Sequence, residues 1–100
     1  MQPNMKMVQQ MQARLEKMQE ELEETIVEGT AGGGAVTVQV NGLRTVKGIS
    51  IDPDAVDPND MEILEDMILA AINEAMGQAE ALSQEKMGAL TGGMNIPGLT

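Results

Sequence analysis

Cysteine, histidine, tryptophan, tyrosine and phenylalanine are all missing from this 100-residue chain. Thiol and imidazole nucleophiles, the usual neutral-pH base and the soft-metal ligands go with them. Only a carboxylate or hard-metal mechanism stays open to an enzyme, so the expectation is a non-enzymatic protein with no catalytic residue, no metal site and no cofactor. The lack of cysteine also excludes a disulfide scaffold and fits a reducing compartment. Long apolar runs are absent too: none approaches the roughly 18 residues of a membrane span, and Met1 to Met7 carries no apolar signal region. A cytoplasmic protein that does not engage membranes is expected. Positive charge is scarce, with 6 Lys and Arg against 16 acids and a net charge of −10. That balance excludes indiscriminate attraction to nucleic acid or anionic lipid, so any phosphate binding must be local.

The core has to be aliphatic, and ten Met residues share it with Leu, Ile, Val and Ala. Methionine is flexible and fills irregular gaps, which makes for adaptable packing. One domain over 1–90 is the size-based expectation, and at that size a long helix needs a second surface to cover it.

From Pro3 to Glu24 the chain has no glycine and is built mainly of strong helix formers, which predicts a helix over 3–24. Val8, Met11, Leu15, Met18 and Leu22 follow one another at intervals of 3 and 4, the spacing of helix-on-helix packing. Under three heptads long, the run serves equally well as an attachment to its own domain or as a dimer seam. Thr25 to Glu28 turns β-branched and reads as a short strand, ended by the glycines from Gly29 to Gly34. Val36, Val38 and Val40 alternate with Thr37 and Gln39, which predicts a half-buried strand over 35–41. Asn41-Gly42 is a hairpin signal, and a return strand follows over 43–51. Val46, Ile49 and Ile51 do not share one parity there, which places a bulge at Gly48. Asp57 as N-cap with Pro58 at the first helical position opens a second helix over 58–87. Its apolar stripe runs from Leu64 through Ile68, Ala71, Ile72, Ala75 and Ala79 to Leu82. Residues 91–100 show no period and read as an irregular tail. The fold class is therefore α+β: a helix, a three-stranded antiparallel sheet and a helix. At about 1.5 Å per residue the helices measure roughly 33 and 45 Å, against a radius of gyration near 13 Å for a compact chain of this size. Helices that long must project or pair, and a homodimer is expected, with Val8, Met11, Leu15, Met18 and Leu22 in its interface.

Two tempting motifs fail on spacing. The glycines of 29–34 lack the Lys-Ser or Lys-Thr of a phosphate loop, and a calcium loop starting at Asp52 would need Gly at 57 and Glu at 63, where the chain has Asp57 and Ile63. The charge distribution is more informative. Met1 to Gln19 carries Lys6, Arg14 and Lys17 against Glu16, a net +2, whereas the remainder carries Arg44, Lys47 and Lys86 against fifteen acids, a net −12. The first helix thus offers Lys6, Gln9, Gln10, Arg14 and Lys17 as candidate DNA contacts, cations and amides suited to phosphates and base edges.

Three stretches carry a resemblance. Val27-Glu28-Gly29-Thr30-Ala31-Gly32-Gly33-Gly34-Ala35-Val36, Asn41-Gly42 and Ile51-Asp52-Pro53 resemble the central pattern of the YbaB/EbfC family. The likeness continues through Leu64-Glu65-Asp66 and Leu69-Ala70-Ala71-Ile72-Asn73 to the closing segment from Leu90 to Leu99. It implies a tweezer-like homodimer with projecting helices that binds double-stranded DNA at the nucleoid, weakly and with little sequence preference in a chain this acidic. The alternative class is an acidic, Met-rich dimeric interaction module whose second helix or tail docks a basic or apolar protein partner.

Overall fold

The computed structural model describes residues 4–91. Its elements in chain order are α1 (Met5–Glu24), β1 (Ile26–Ala31), β2 (Val36–Asn41), β3 (Val46–Ile51), a 3-10 turn (Pro53–Ala55) and α2 (Met61–Thr91). The strands form one antiparallel sheet in the order β1-β2-β3, so the α+β class and the element order agree with the sequence. The readings placed on Pro3 and on the tail beyond Thr91 lie outside the described residues.

Boundaries moved where side-chain chemistry imitated a signal. Asn4 is the N-cap of α1, its side-chain oxygen accepting from the Met7 amide at 2.8 Å. At the other end the Thr25 hydroxyl and amide both donate to the Glu21 carbonyl, and the chain then turns into β1. Asp57 does not cap α2. Its side chain accepts from Asn59 and its carbonyl from Asp60, which closes a separate turn on itself; α2 starts after that turn at Met61 and runs on to Thr91 rather than ending at Met87. Strand β1 reaches Ala31 rather than stopping at Glu28, and β3 begins at Val46 rather than Leu43.

Directly opposed residues of an antiparallel pair share a face. The register therefore puts Val27, Gly29 and Ala31 beside Val40, Val38 and Val36, and these beside Val46, Ile49 and Ile51. The bulge expected at Gly48 is present, with Lys47 as the extra residue between the Gln39–Gly48 and Val40–Val46 pairs. It brings Val46 onto the same face as Ile49 and Ile51, which resolves the broken parity.

Helix α2 lies across that face over β1 and β2, and Leu64, Ala71, Ala75 and Ala79 close a core with Val36, Val38 and Val40. Small residues permit the closeness: a Cβ on Gly29 would overlap the Ala71 carbonyl and the Ala75 backbone. Met67 packs at the Gly32 end of β1 and Ala75 at Gly29, so α2 runs antiparallel to β1. The helix leaves much of β3 uncovered: Ile51 packs against the core, but Val46 and Ile49 remain 48% and 51% exposed.

Helix α1 joins the sheet at its other end. Gly42 donates to the Leu22 carbonyl at 2.7 Å, and Leu22 is 2% exposed, spent on the chain's own packing. Beyond the sheet the last turns of α2 lie along α1, tied by Lys86 and Glu21 at 3.3 Å. The result is an extended body of 67 × 26 × 16 Å with a radius of gyration of 18.9 Å. The projection anticipated from helix length is real: α1 and the end of α2 make an arm.

Candidate nucleic-acid interface

At 3.6 residues per turn, Lys6, Gln10, Arg14 and Lys17 fall within an arc of about 80° on α1. They are exposed, and among the described residues none of the three cations forms an ion pair. Gln9 falls roughly 60° outside the arc, beyond Lys6; it is exposed but not aligned with the others. Lys6 and Lys17 stand about 16 Å apart along the axis, comparable with the axial rise of four or five base pairs of duplex at about 3.4 Å each. A helix forms here because the stretch lacks breakers, and it is basic only where it leaves the body.

Arg14 and Lys17 also border a groove between the helices, with Met18, Glu21, Lys86 and Leu90 on its walls. Lys86 is held by Glu21; Arg14 and Lys17 are not so held. The apolar residues occupy another side of α1. Val8 is exposed, Met11, Leu15 and Met18 are half-buried and Leu22 is buried. Met7, Val8 and Met11 line an apolar groove near the tip of the arm. The stripe thus divides into an inner end docked on the sheet and an outer end without a cover.

Two cations that sequence reasoning passed over lie where the arm meets the sheet. Arg44 and Lys47 sit in the β2–β3 hairpin, and no acid occurs between Glu28 and Asp52. That acid-free run was the available signal. The far end of the molecule is the reverse: eight acids and no cation occupy residues 52–74, around the 3-10 turn and the first half of α2. Asp52 and Asp57 accept backbone amides there, and among the described residues no group of acids is arranged to hold a metal. Charge changes along the molecule: the outer half of α1 is net basic, the inner end of the same helix carries Glu20, Glu21, Glu23 and Glu24, and the opposite pole is acidic.

The sequence model of the YbaB/EbfC DNA-binding family matches residues 1–94. The chain belongs to the YbaB/EbfC DNA-binding family. A nucleoid-associated protein of Chloroflexus aurantiacus is 57% identical over 90 residues, covering 90% of each chain. One from Alkaliphilus metalliredigens is 57% identical over 95 residues, covering 95% of this chain and 83% of the relative. The fold is that of an uncharacterized Helicobacter pylori protein whose crystal structure superposes with a TM-score of 0.71 at 19% identity, over 94% of this chain and all of the other. This YbaB/EbfC member therefore shares its fold with that solved protein, and no described helix is long and apolar enough to cross a membrane.

Proposed function

We propose that this YbaB/EbfC chain is a non-catalytic, nucleoid-associated protein of the cytoplasm. As a homodimer it holds double-stranded DNA through its α1 arms, weakly and with little sequence preference. The observation that carries the proposal is the unpaired basic stripe of Lys6, Arg14 and Lys17 on an arm that stands clear of an otherwise acidic body. At a screening length near 8 Å in physiological salt, acids at the far pole, and those at the inner end of α1 about 21 Å along the helix from Lys6, are largely hidden from phosphates at the outer turns, so local attraction survives there despite a negative total. Lysine, arginine and glutamine on one exposed face chiefly meet phosphates, which fix position without reading bases.

The dimer is supported by what one chain leaves uncovered. Val46 and Ile49 belong to the core face of the sheet but lie beyond the reach of α2, whose Leu69 is 59% exposed. Val8 and Met11 add a second apolar stretch on the arm, with Leu15 and Met18 continuing it inward. Apolar surface of this kind is what a second copy covers in an obligate pair. Leu22 is not part of it, being buried in its own chain. The comparisons lend no support to a protein partner docked on acidic α2, and that alternative is not carried further.

The test is an anisotropy titration with two unrelated duplexes of equal length at several salt concentrations. Similar affinities for both, with log K falling linearly against log salt, are expected. Absence of binding even at about 50 mM salt would overturn the proposal.

A further inference from the structure

Among the described residues, Arg44 alone combines a side chain with a left-handed backbone, at φ 65°. Its loop is held rigidly. Asn41, 2% exposed, accepts from the Leu43 and Thr45 amides through its side-chain oxygen at 3.0 and 2.9 Å, and its carbonyl accepts from the Arg44 amide at 3.0 Å. Three residues, Gly42, Leu43 and Arg44, thus close the hairpin, and the last of them occupies the left-handed position where glycine is the default. Gly42 does not take that role. It is needed for a different reason, since a Cβ there would meet Leu22 at 2.7 Å. The chain therefore keeps an arginine where a glycine would be less strained. Three residues on, Lys47 is the extra residue of the β3 bulge, the one position that the ladder leaves without a partner.

Both side chains are exposed, and among the described residues neither forms an ion pair. Their surroundings in sequence are acid-free from Gly29 to Ile51, a local net charge of +2 in a chain of −10. Glu23 and Glu24, in the last turn of α1, are acids close to this loop along the fold, and neither pairs with it. Gly42 is docked on Leu22, five residues or about 7.5 Å along the helix from Lys17, so the hairpin tip stands at the inner end of α1, a separate pair of cations beyond Glu20, Glu21, Glu23 and Glu24.

From this we infer that Arg44 and Lys47 form a second phosphate-binding site at the hairpin tip, separate from the α1 stripe, which takes the backbone of the same double-stranded DNA. The inference rests on the DNA-binding reading above and extends it from arm to sheet. A fixed loop suits the role: a guanidinium held on a rigid turn loses less freedom on meeting a phosphate than one on a mobile segment. Such contacts position the duplex and add no base recognition.

The experiment compares the full-length protein with Arg44→Gly/Lys47→Gln and with Arg44→Lys, by anisotropy on one duplex at 50 and 200 mM salt, with thermal melts of each. Arg44→Gly relieves the left-handed strain, so the double variant is expected to melt no lower than the parent and any loss of binding is not unfolding. If two contacts are lost, the fall in affinity between the two salt concentrations shrinks by about twelvefold, from a slope change of about 0.9 per phosphate. Arg44→Lys keeps the charge and is expected to bind nearly as the parent does. Parent-like affinity and salt slope in the double variant, or equal weakening by Arg44→Lys, overturns the second site while the arm reading stands. A parent that binds no DNA at 50 mM salt brings down both.

Discussion

Replacing Gly29 by alanine tests how α2 is seated on the sheet. The added Cβ would sit 2.9 Å from the Ala75 Cα and closer still to the Ala71 carbonyl and the Ala75 amide. These are backbone atoms of a helix, so no rotamer change relieves them. Restoring ordinary contact of about 3.5–4.0 Å requires α2 to withdraw by about 1 Å, and a gap of that size forfeits a quarter to a half of the dispersion attraction along the seam. That seam is the core itself, where Ala71, Ala75 and Ala79 meet Val36, Val38 and Val40. With overpacking costing about 1–3 kcal/mol, the upper end applies and about 3 kcal/mol is expected. For a domain of this size that lowers the melting temperature by roughly 12–24 °C. Circular dichroism melts at one fixed protein concentration measure it, because the proposed dimer would make the midpoint concentration-dependent. Gly34→Ala is the control. Gly34 has φ 96° and open space around it, so only backbone strain of about 1–2 kcal/mol applies. A Gly29→Ala protein that melts within two or three degrees of the parent would refute the close seating of α2.

The remaining expectations concern single contacts. Asn41→Ala strands the Leu43 and Thr45 amides that now donate to its side chain, and is expected to cost about 2–3 kcal/mol in urea denaturation, with Asn41→Asp losing less because it keeps the acceptor. Gly77 lies in mid-helix with nothing within 4 Å, so Gly77→Ala is expected to stabilise by up to about 1 kcal/mol; a lower midpoint would mean that this face of α2 is covered. Lys86→Ala removes an ion pair whose side chains are 37% and 44% exposed, and a loss above about 1 kcal/mol would contradict its solvated setting. Light scattering of the parent is expected to give twice 10.6 kDa, and Ile49→Lys to shift that mass toward the monomer; a parent monomeric at micromolar concentration would remove the dimer.

How much of this was legible before the structure depended on the range of the interaction. The α1 helix and the Val36-Val38-Val40 alternation are periodic signals carried by neighbours in the chain, and both elements stand where the pattern put them. The parity break in β3 likewise announced its bulge, one residue from Gly48. Asp57-Pro58 misled because an aspartate that closes its own turn and one that caps a helix present the same residues. Leu22 shares its spacing with Val8 and Met11, and only the docking of Gly42 shows that it belongs to the inside. Gly29 looked like part of a glycine turn; its role against α2 depends on a helix more than 40 residues further on. The basic stripe was visible as local charge, whereas Arg44 and Lys47 needed the loop geometry before they stood together. Their acid-free surroundings were in the sequence throughout.

The central claim is that the arm holds the DNA, and the most direct measurement is a salt titration of Lys6→Ala/Arg14→Ala/Lys17→Ala beside the parent on one duplex, with light scattering on both. All three side chains are exposed and free of ion pairs among the described residues, so the variant is expected to stay folded and to keep the parent's mass. Its affinity is expected to fall at least tenfold at low salt, and its log–log salt slope to lessen by about 0.9 for every cation that had met a phosphate. A variant with the parent's affinity and slope would show that the phosphates are held elsewhere, and the arm would lose its assigned role.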